Sequence, residues 1–259
     1  MIQWVVVTGA SSGIGRAVVE RFYKDGQPVI ALARRGEQLG KLASLPRGGQ
    51  DQQIRTAVAD VRDRAAVESA LTGVLGAGDV ISGLVNNAGL SLGFGPLHSG
   101  DPADWEVMIQ TNVVGLLNCT YAVLPALRST GYGHIINIGS LAGSYPYHGG
   151  NVYAATKAFV RHLSANLLAD LAGSRIRVTC IAPGMVRTEF AQVRFRGDID
   201  QADKFYEGIE TLTAEDVADA VSWSFHTPPH VNVNYIELMP RSQPFGLAVG
   251  SAISHEERE

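Results

Sequence analysis

The sequence predicts a doubly wound α/β fold, a single domain on a parallel sheet of about seven strands with helices on both faces. Three observations carry that expectation. Short runs rich in β-branched residues alternate with longer segments of helical pattern, as successive βαβ units require. Several runs are apolar at consecutive positions, as strands covered on both faces must be. A glycine-rich turn follows the first run directly and opens a helix.

The strands are read, in order, at QWVVV (3–7), PVIAL (28–32), QIRTAV (53–58), ISGLVN (81–86), HIINI (134–138), RIRVTCI (175–181) and NYIEL (234–238). Between them, 14–25, 64–75, 103–128 and 152–172 read as helices. The alternation runs unbroken to the last strand without a Pro/Gly/Ser linker, so residues 1–240 form one domain. Two stretches break the rhythm. Residues 189–212 are polar and follow a strand, which suits a lid over a site; residues 241–259 form a tail ending in the charged HEERE.

Composition narrows the function classes. The chain has 259 residues, 46% hydrophobic and 18% charged, with a formal net charge of −4 and no basic run, which argues against a nucleic-acid partner. Cys119 and Cys180 lie in apolar stretches far apart and read as reduced, buried thiols, although one disulfide stays open from sequence; no metal site is expected. The N-terminus enters a strand almost at once, leaving no room for a signal peptide, and no apolar run approaches membrane-spanning length. The expectation is a soluble cytoplasmic protein without a membrane partner.

The turn reads Thr8-Gly9-Ala10-Ser11-Ser12-Gly13-Ile14-Gly15. Gly9 permits a tight turn, Gly13 lets backbone approach a pyrophosphate, and Gly15 lets helix pack on strand. The helix start offers unpaired N–H groups to phosphate, the logic of a Rossmann-type nucleotide site. The second strand ends in Arg34-Arg35, where an acid would meet a free ribose 2′-hydroxyl. Two guanidinium forks suit a 2′-phosphate instead, so NADP(H) is expected over NAD, with Arg34 as the contact and Arg35 less committed. Asp60-Val61 follows the third strand; Asp60 suits the adenine amino group, a helix N-cap, or both. Asn87-Ala88-Gly89 ends the fourth, where small residues let the chain pass close to a ligand.

Tyr153 and Lys157 stand four residues apart in NVYAATKAF, on one face of the helix. One reading is a partly buried phenol over an exposed lysine. The other is a tyrosine whose pKa a neighbouring cation lowers, fit to exchange protons near neutrality.

Together TGASSGIG (8–15), NNAG (86–89), Asn112, Ser140, YAATK (153–157) and PGMVRTEF (183–190) resemble the short-chain dehydrogenase/reductase family across almost the whole chain. The resemblance implies an NADP(H)-dependent oxidoreductase interconverting an alcohol and a carbonyl. It makes Tyr153 the general acid/base. Lys157 lowers its pKa and holds the nicotinamide ribose, Ser140 bonds the substrate oxygen, and Asn112 supports a water-linked proton relay. Pro183, Gly184, Val186 and Thr188 would contact the cofactor; Thr188 also suits a helix N-cap.

Within that family, the stretches 134–161, 188–198 and 230–240 resemble the bacterial NADP-dependent 3-hydroxy acid dehydrogenases. The implied substrates are serine, allo-threonine, 3-hydroxyisobutyrate and malonic semialdehyde. A small anionic hydroxy acid or aldehyde needs a local cation. Arg194 and Arg196, in the lid, share a side if extended and could grip the carboxylate. Tyr147, His148 and Asn151 lie between Ser140 and Tyr153 and are expected to line the substrate pocket; His148 reads as a wall residue. Rival readings are a sulfoacetaldehyde reductase, a 3-ketoacyl thioester reductase and a non-enzymatic NADP-sensing module. The resemblance also implies a homotetramer, assembled through the helices at 103–128 and 152–172 and the last strand.

Overall fold

The protein is described by a computed structural model covering residues 2–46 and 53–243. The strands are β1 (Gln3–Thr8), β2 (Val29–Ala33), β3 (Ile54–Val58), β4 (Val80–Asn86), β5 (Tyr132–Ile138), β6 (Arg175–Pro183) and β7 (Tyr235–Leu238). The helices are α1 (Gly13–Lys24), α2 (Gly36–Ala43), α3 (Arg64–Val74), α4 (Pro102–Ile109), α5 (Gly115–Thr130), α6 (Asn151–Asp170), α7 (Phe190–Arg194), α8 (Ile199–Lys204) and α9 (Ala214–Phe225). The strands form one sheet in the order β3-β2-β1-β4-β5-β6-β7, every pairing parallel.

The strand residues alternate between two cores, which explains their unbroken apolar runs. Val5, Val7, Ala31 and Ile136 face the side covered by α1, α2 and α9, with Phe22, Leu39, Val217 and Val221. Trp4, Val6, Ile30, Leu32 and Ile135 face α3, α5 and α6, with Leu71, Cys119, Val123 and Leu127. Cys119 and Cys180 are both free and buried, so the disulfide left open by the sequence does not form.

The expected helix at 103–128 is α4 and α5 joined by one π-helical segment, Gln110–Val114. By length and composition alone, Pro102–Thr130 suffices to cross a membrane, contrary to the expectation that no segment would. Its apolar residues include Met108, Cys119, Val123 and Leu127, which are buried in the core. The lid, expected to be irregular, holds the two short helices α7 and α8. Both of its ends are clipped together where Arg187 N–H bonds the Leu212 carbonyl at 2.9 Å and Leu212 N–H bonds that of Met185 at 2.9 Å. The domain also runs past residue 240. Gln243 is buried, and its Oε1 accepts the Met185 N–H at 2.8 Å. Residues 244–259, the rest of the expected tail, lie outside the described residues.

Candidate active site

Strand order reverses direction between β1 and β4, so the loops leaving their C-terminal ends part and leave a crevice there. Thr8 and Asn87 hold its floor. The Thr8 hydroxyl accepts the Asn87 and Ala88 N–H groups, each at 3.0 Å, and Asn87 Nδ2 donates back to the Thr8 carbonyl at 3.0 Å. Thr8 was not singled out in the sequence; the hydroxyl at the end of an apolar strand is the only signal it offers.

The crevice is a cavity of about 380 Å³. Gly9, Ser11, Ser12, Gly13, Ile14, Arg34, Arg35, Asp60, Val61, Asn87, Pro183, Gly184, Val186 and Thr188 line it, together with Ser140, Tyr153 and Lys157. Gly15 does not. It is buried behind the turn, where a Cβ would stand 2.4 Å from both the Gly9 carbonyl and Asn87 Nδ2. Gly9 has φ of 65°, and a Cβ there would press on the Ala88 backbone at 2.9 Å. Its turn therefore requires glycine on two counts.

These residues fit a dinucleotide phosphate. Ser12 precedes α1 without a side-chain cap, leaving the first N–H groups of a 12-residue helix uncapped where Ser12, Gly13 and Ile14 line the cavity. Arg34 is exposed, and the nearest acid among the described residues, Asp60, is 3.8 Å away. Asp60 is bound by Arg62 Nη2 at 2.6 Å, and that hydrogen bond is the main reason its pKa lies below the usual carboxylate value. Asp60 is not the N-cap of α3: that role falls to Asp63, which accepts the Ala66 N–H at 3.1 Å. Thr188 lies before α7, where its hydroxyl accepts the Phe190 N–H at 3.2 Å.

At the other end of the cavity Tyr153 is 8% exposed. Phe190 covers it, ring centroids 5.6 Å apart. Burial pushes the phenol above its ordinary pKa, Tyr147 adds to the rise, and a hydrogen bond with Ser140 and the Arg194 charge pull the other way. Lys157 is also buried, and burial lowers its pKa to about 8. Its ammonium donates to the Ile138 carbonyl at 2.9 Å and stands 6.0 Å from the Tyr153 ring centroid. The expected lowering of the Tyr153 pKa by Lys157 is thus not the dominant effect in the protein alone. Desolvation outweighs it, and the ammonium turns to the carbonyl within reach.

Asn112 sits in the π-helical segment, 2% exposed and outside the cavity lining. Its amide accepts the Leu90 N–H at 2.9 Å and donates to the Leu90 carbonyl at 2.8 Å and Thr156 Oγ1 at 3.1 Å. Both N–H bonds are committed, so its side chain is a brace between the loop after β4 and the helix carrying Lys157. A π-turn aims one residue inward at the cost of regular helix.

The expected substrate residues divide. His148 and Asn151 are exposed and outside the cavity lining, and Asn151 Nδ2 bonds the Gly95 carbonyl at 2.8 Å. Arg196 does not share a side with Arg194, because the chain turns between them. Arg194 ends α7, while Arg196 takes φ of 55° and pairs with Asp104 at 2.7 Å.

Arg194 lies behind the lining at 2% exposure. Its Nε donates to the Gly93 carbonyl at 3.1 Å and its Nη2 to the Tyr147 hydroxyl at 3.2 Å. The guanidinium carbon is 4.9 Å from the Phe94 ring centroid and 5.9 Å from that of Tyr153. Among the described residues it has no ion-pair partner. Sequence reading missed Glu189, Phe190 and Val193 as lining residues. They stand at one end of the lid, whose seating no local pattern reveals.

A family model described as short chain dehydrogenase matches residues 3–198. The NADP-dependent 3-hydroxy acid dehydrogenase YdfG of Salmonella typhimurium is 50% identical over 247 residues, 95% of this chain and 98% of that protein. Sulfoacetaldehyde reductase 2 of Chromohalobacter salexigens is 47% identical over 240 residues, 92% of this chain and 94% of its own. A solved structure described as the closed form of serine dehydrogenase complexed with NADP+ superposes with a TM-score of 0.89 at 49% identity, covering 95% of this chain and 99% of that one.

Proposed function

The chain belongs to the short chain dehydrogenase family, and from that premise we propose that it is an NADP(H)-dependent oxidoreductase acting on small 3-hydroxy acids. The reaction interconverts a hydroxy acid of the serine, allo-threonine, 3-hydroxyisobutyrate or 3-hydroxypropionate type and its 3-oxo acid or semialdehyde. The observation that carries the substrate class is Arg194. A guanidinium with 2% exposure and only neutral partners beside Tyr153 leaves a buried positive charge uncompensated. Such a charge favours an anion at the reacting end of the cavity.

When bound, the cofactor supplies or accepts the hydride. The N–H groups from Ser12 to Ile14 would hold its pyrophosphate, and Arg34 its 2′-phosphate. Ser140 and Tyr153 present hydroxyls to the substrate oxygen. In reduction Tyr153 donates its proton to the carbonyl; in oxidation it takes the proton from the hydroxyl. Its raised pKa keeps the phenol protonated in the protein alone, the form that donates. Once the phenol has given up its proton, the Lys157 charge stabilises the tyrosinate. Phe190 shields that exchange from water. Arg194, by fixing the carboxylate, would set the hydroxyl-bearing carbon against Tyr153.

The similarity to a sulfoacetaldehyde reductase favours a second reading, in which Arg194 receives a sulfonate. A homotetramer in the cytoplasm completes the proposal; Leu117, Tyr121 and Phe159 leave apolar surface exposed on α5 and α6. The test is a substrate panel followed through the absorbance of reduced nicotinamide. NADP would be offered with L-serine, L-allo-threonine and 3-hydroxyisobutyrate, and NADPH with malonic semialdehyde and sulfoacetaldehyde. The highest kcat/KM is expected among the 3-hydroxy acids and malonic semialdehyde. A far higher value for sulfoacetaldehyde would replace the carboxylate reading with the sulfonate one.

A further inference from the structure

The two arginines that follow β2 are held differently. Arg34 is exposed, with no acid nearer than 3.8 Å among the described residues. Arg35 reaches from the glycine turn to the start of the lid. Its Nε donates to Ser11 Oγ at 3.1 Å, its Nη2 to Ser12 Oγ, and its Nη1 to Glu189 Oε2 at 3.1 Å. Ser11 and Ser12 belong to the glycine turn, and Glu189 opens the lid. All three acceptors and Arg35 itself line the one cavity.

We propose that Arg35 and Glu189 form a strap across the cofactor cleft, with Glu189 a specificity-determining acid that competes with cofactor phosphate for the Arg35 fork. The inference rests on NADP(H) being the cofactor. The Arg35 and Glu189 side chains are 49% and 52% exposed, so solvent screens the pair and it opens readily. An entering dinucleotide brings negative charge toward the turn that Arg35 covers. It must draw the Arg35 fork away from Glu189 to use it. Glu189 thereby weakens cofactor binding and hastens release, and through its place at the start of α7 it links that exchange to the lid. The competition for the Arg35 fork is felt most by the more highly charged NADPH, while Arg34 remains available to meet the 2′-phosphate.

The experiment is a set of NADPH and NADH dissociation constants, read by quenching of protein fluorescence, for the wild type, Glu189→Gln, Arg35→Ala and the double variant. Glu189→Gln is expected to bind NADPH about three- to tenfold tighter, with a smaller gain for NADH, at low salt. In the Arg35→Ala background the same substitution should change NADPH binding less than twofold. An unchanged NADPH constant in Glu189→Gln would overturn the strap, and so would an equal gain with and without Arg35. The wild-type preference for NADPH over NADH is a separate readout, so failure of the cofactor reading is distinguishable from failure of the strap.

Discussion

Replacing Arg194 by methionine separates an anion receptor from a lid pin. The side chain is 2% exposed and stands behind the cavity lining, so a carboxylate would meet it with little water between once the lid residues in front admit it. Its five N–H groups now make two bonds, to the Gly93 carbonyl and the Tyr147 hydroxyl. The remainder can serve a carboxylate in a two-point grip. Each charge-assisted bond contributes about 1.5 kcal/mol net, so two amount to about 3 kcal/mol. At 1.36 kcal/mol per tenfold, that is a loss of about 10²-fold in kcat/KM for the anionic substrate. Methionine retains much of the volume against Phe94 and Phe205 and removes only the charge and its bonds. The assay is steady-state reduction of malonic semialdehyde beside a neutral aldehyde of similar length, with thermal unfolding as a check on the lid. The neutral substrate should lose less than about fivefold, having no carboxylate to lose a partner. Equal losses on the two substrates would refute the reasoning and leave Arg194 as a pin between the lid and Gly93.

Tyr153→Phe should lower kcat by about 10²–10⁴-fold while leaving NADPH binding, measured by fluorescence, within about twofold. Arg34→Ala should weaken NADPH by about tenfold and NADH by less than threefold; equal weakening of both would remove the 2′-phosphate role. Lys157 titrates near 8 when folded, below its ordinary value of 10.5, because of burial. Between those values the unfolded chain binds more protons than the folded one, so stability rises with pH through that window and is lost as pH falls toward 8. Against Lys157→Met as reference, cofactor-free protein should gain roughly 2 kcal/mol in urea unfolding free energy from pH 7.5 to 9.5. No gain relative to that variant would show that Lys157 is better solvated than its burial implies.

Much of the sheet was legible because burial on both faces leaves a local mark. All seven expected strands appear within a few residues of their expected positions. The helices α2, α8 and α9 were not singled out, and α7 was foreshadowed only by Thr188 as a helix N-cap. For α9 a signal was available in TAED, where Thr213 and Asp216 form a reciprocal capping box. The π-helical segment was not legible, since nothing in QTNVV departs from an ordinary helix.

The sequence by itself determined the architecture, the glycine turn beneath a phosphate site and the i, i+4 placement of Tyr153 and Lys157. These depend on periodicity and backbone freedom within a few residues. Tertiary structure alone decided which charges are spent and which stay free. Arg196 is taken by Asp104, 92 residues away, and Arg35 by Glu189, 154 residues away. Arg194 is enclosed against Gly93, 101 residues away, and Lys157 is turned to the Ile138 carbonyl. Such pairings arise when separate elements pack and water leaves, and no spacing along the chain encodes which donor then finds which acceptor.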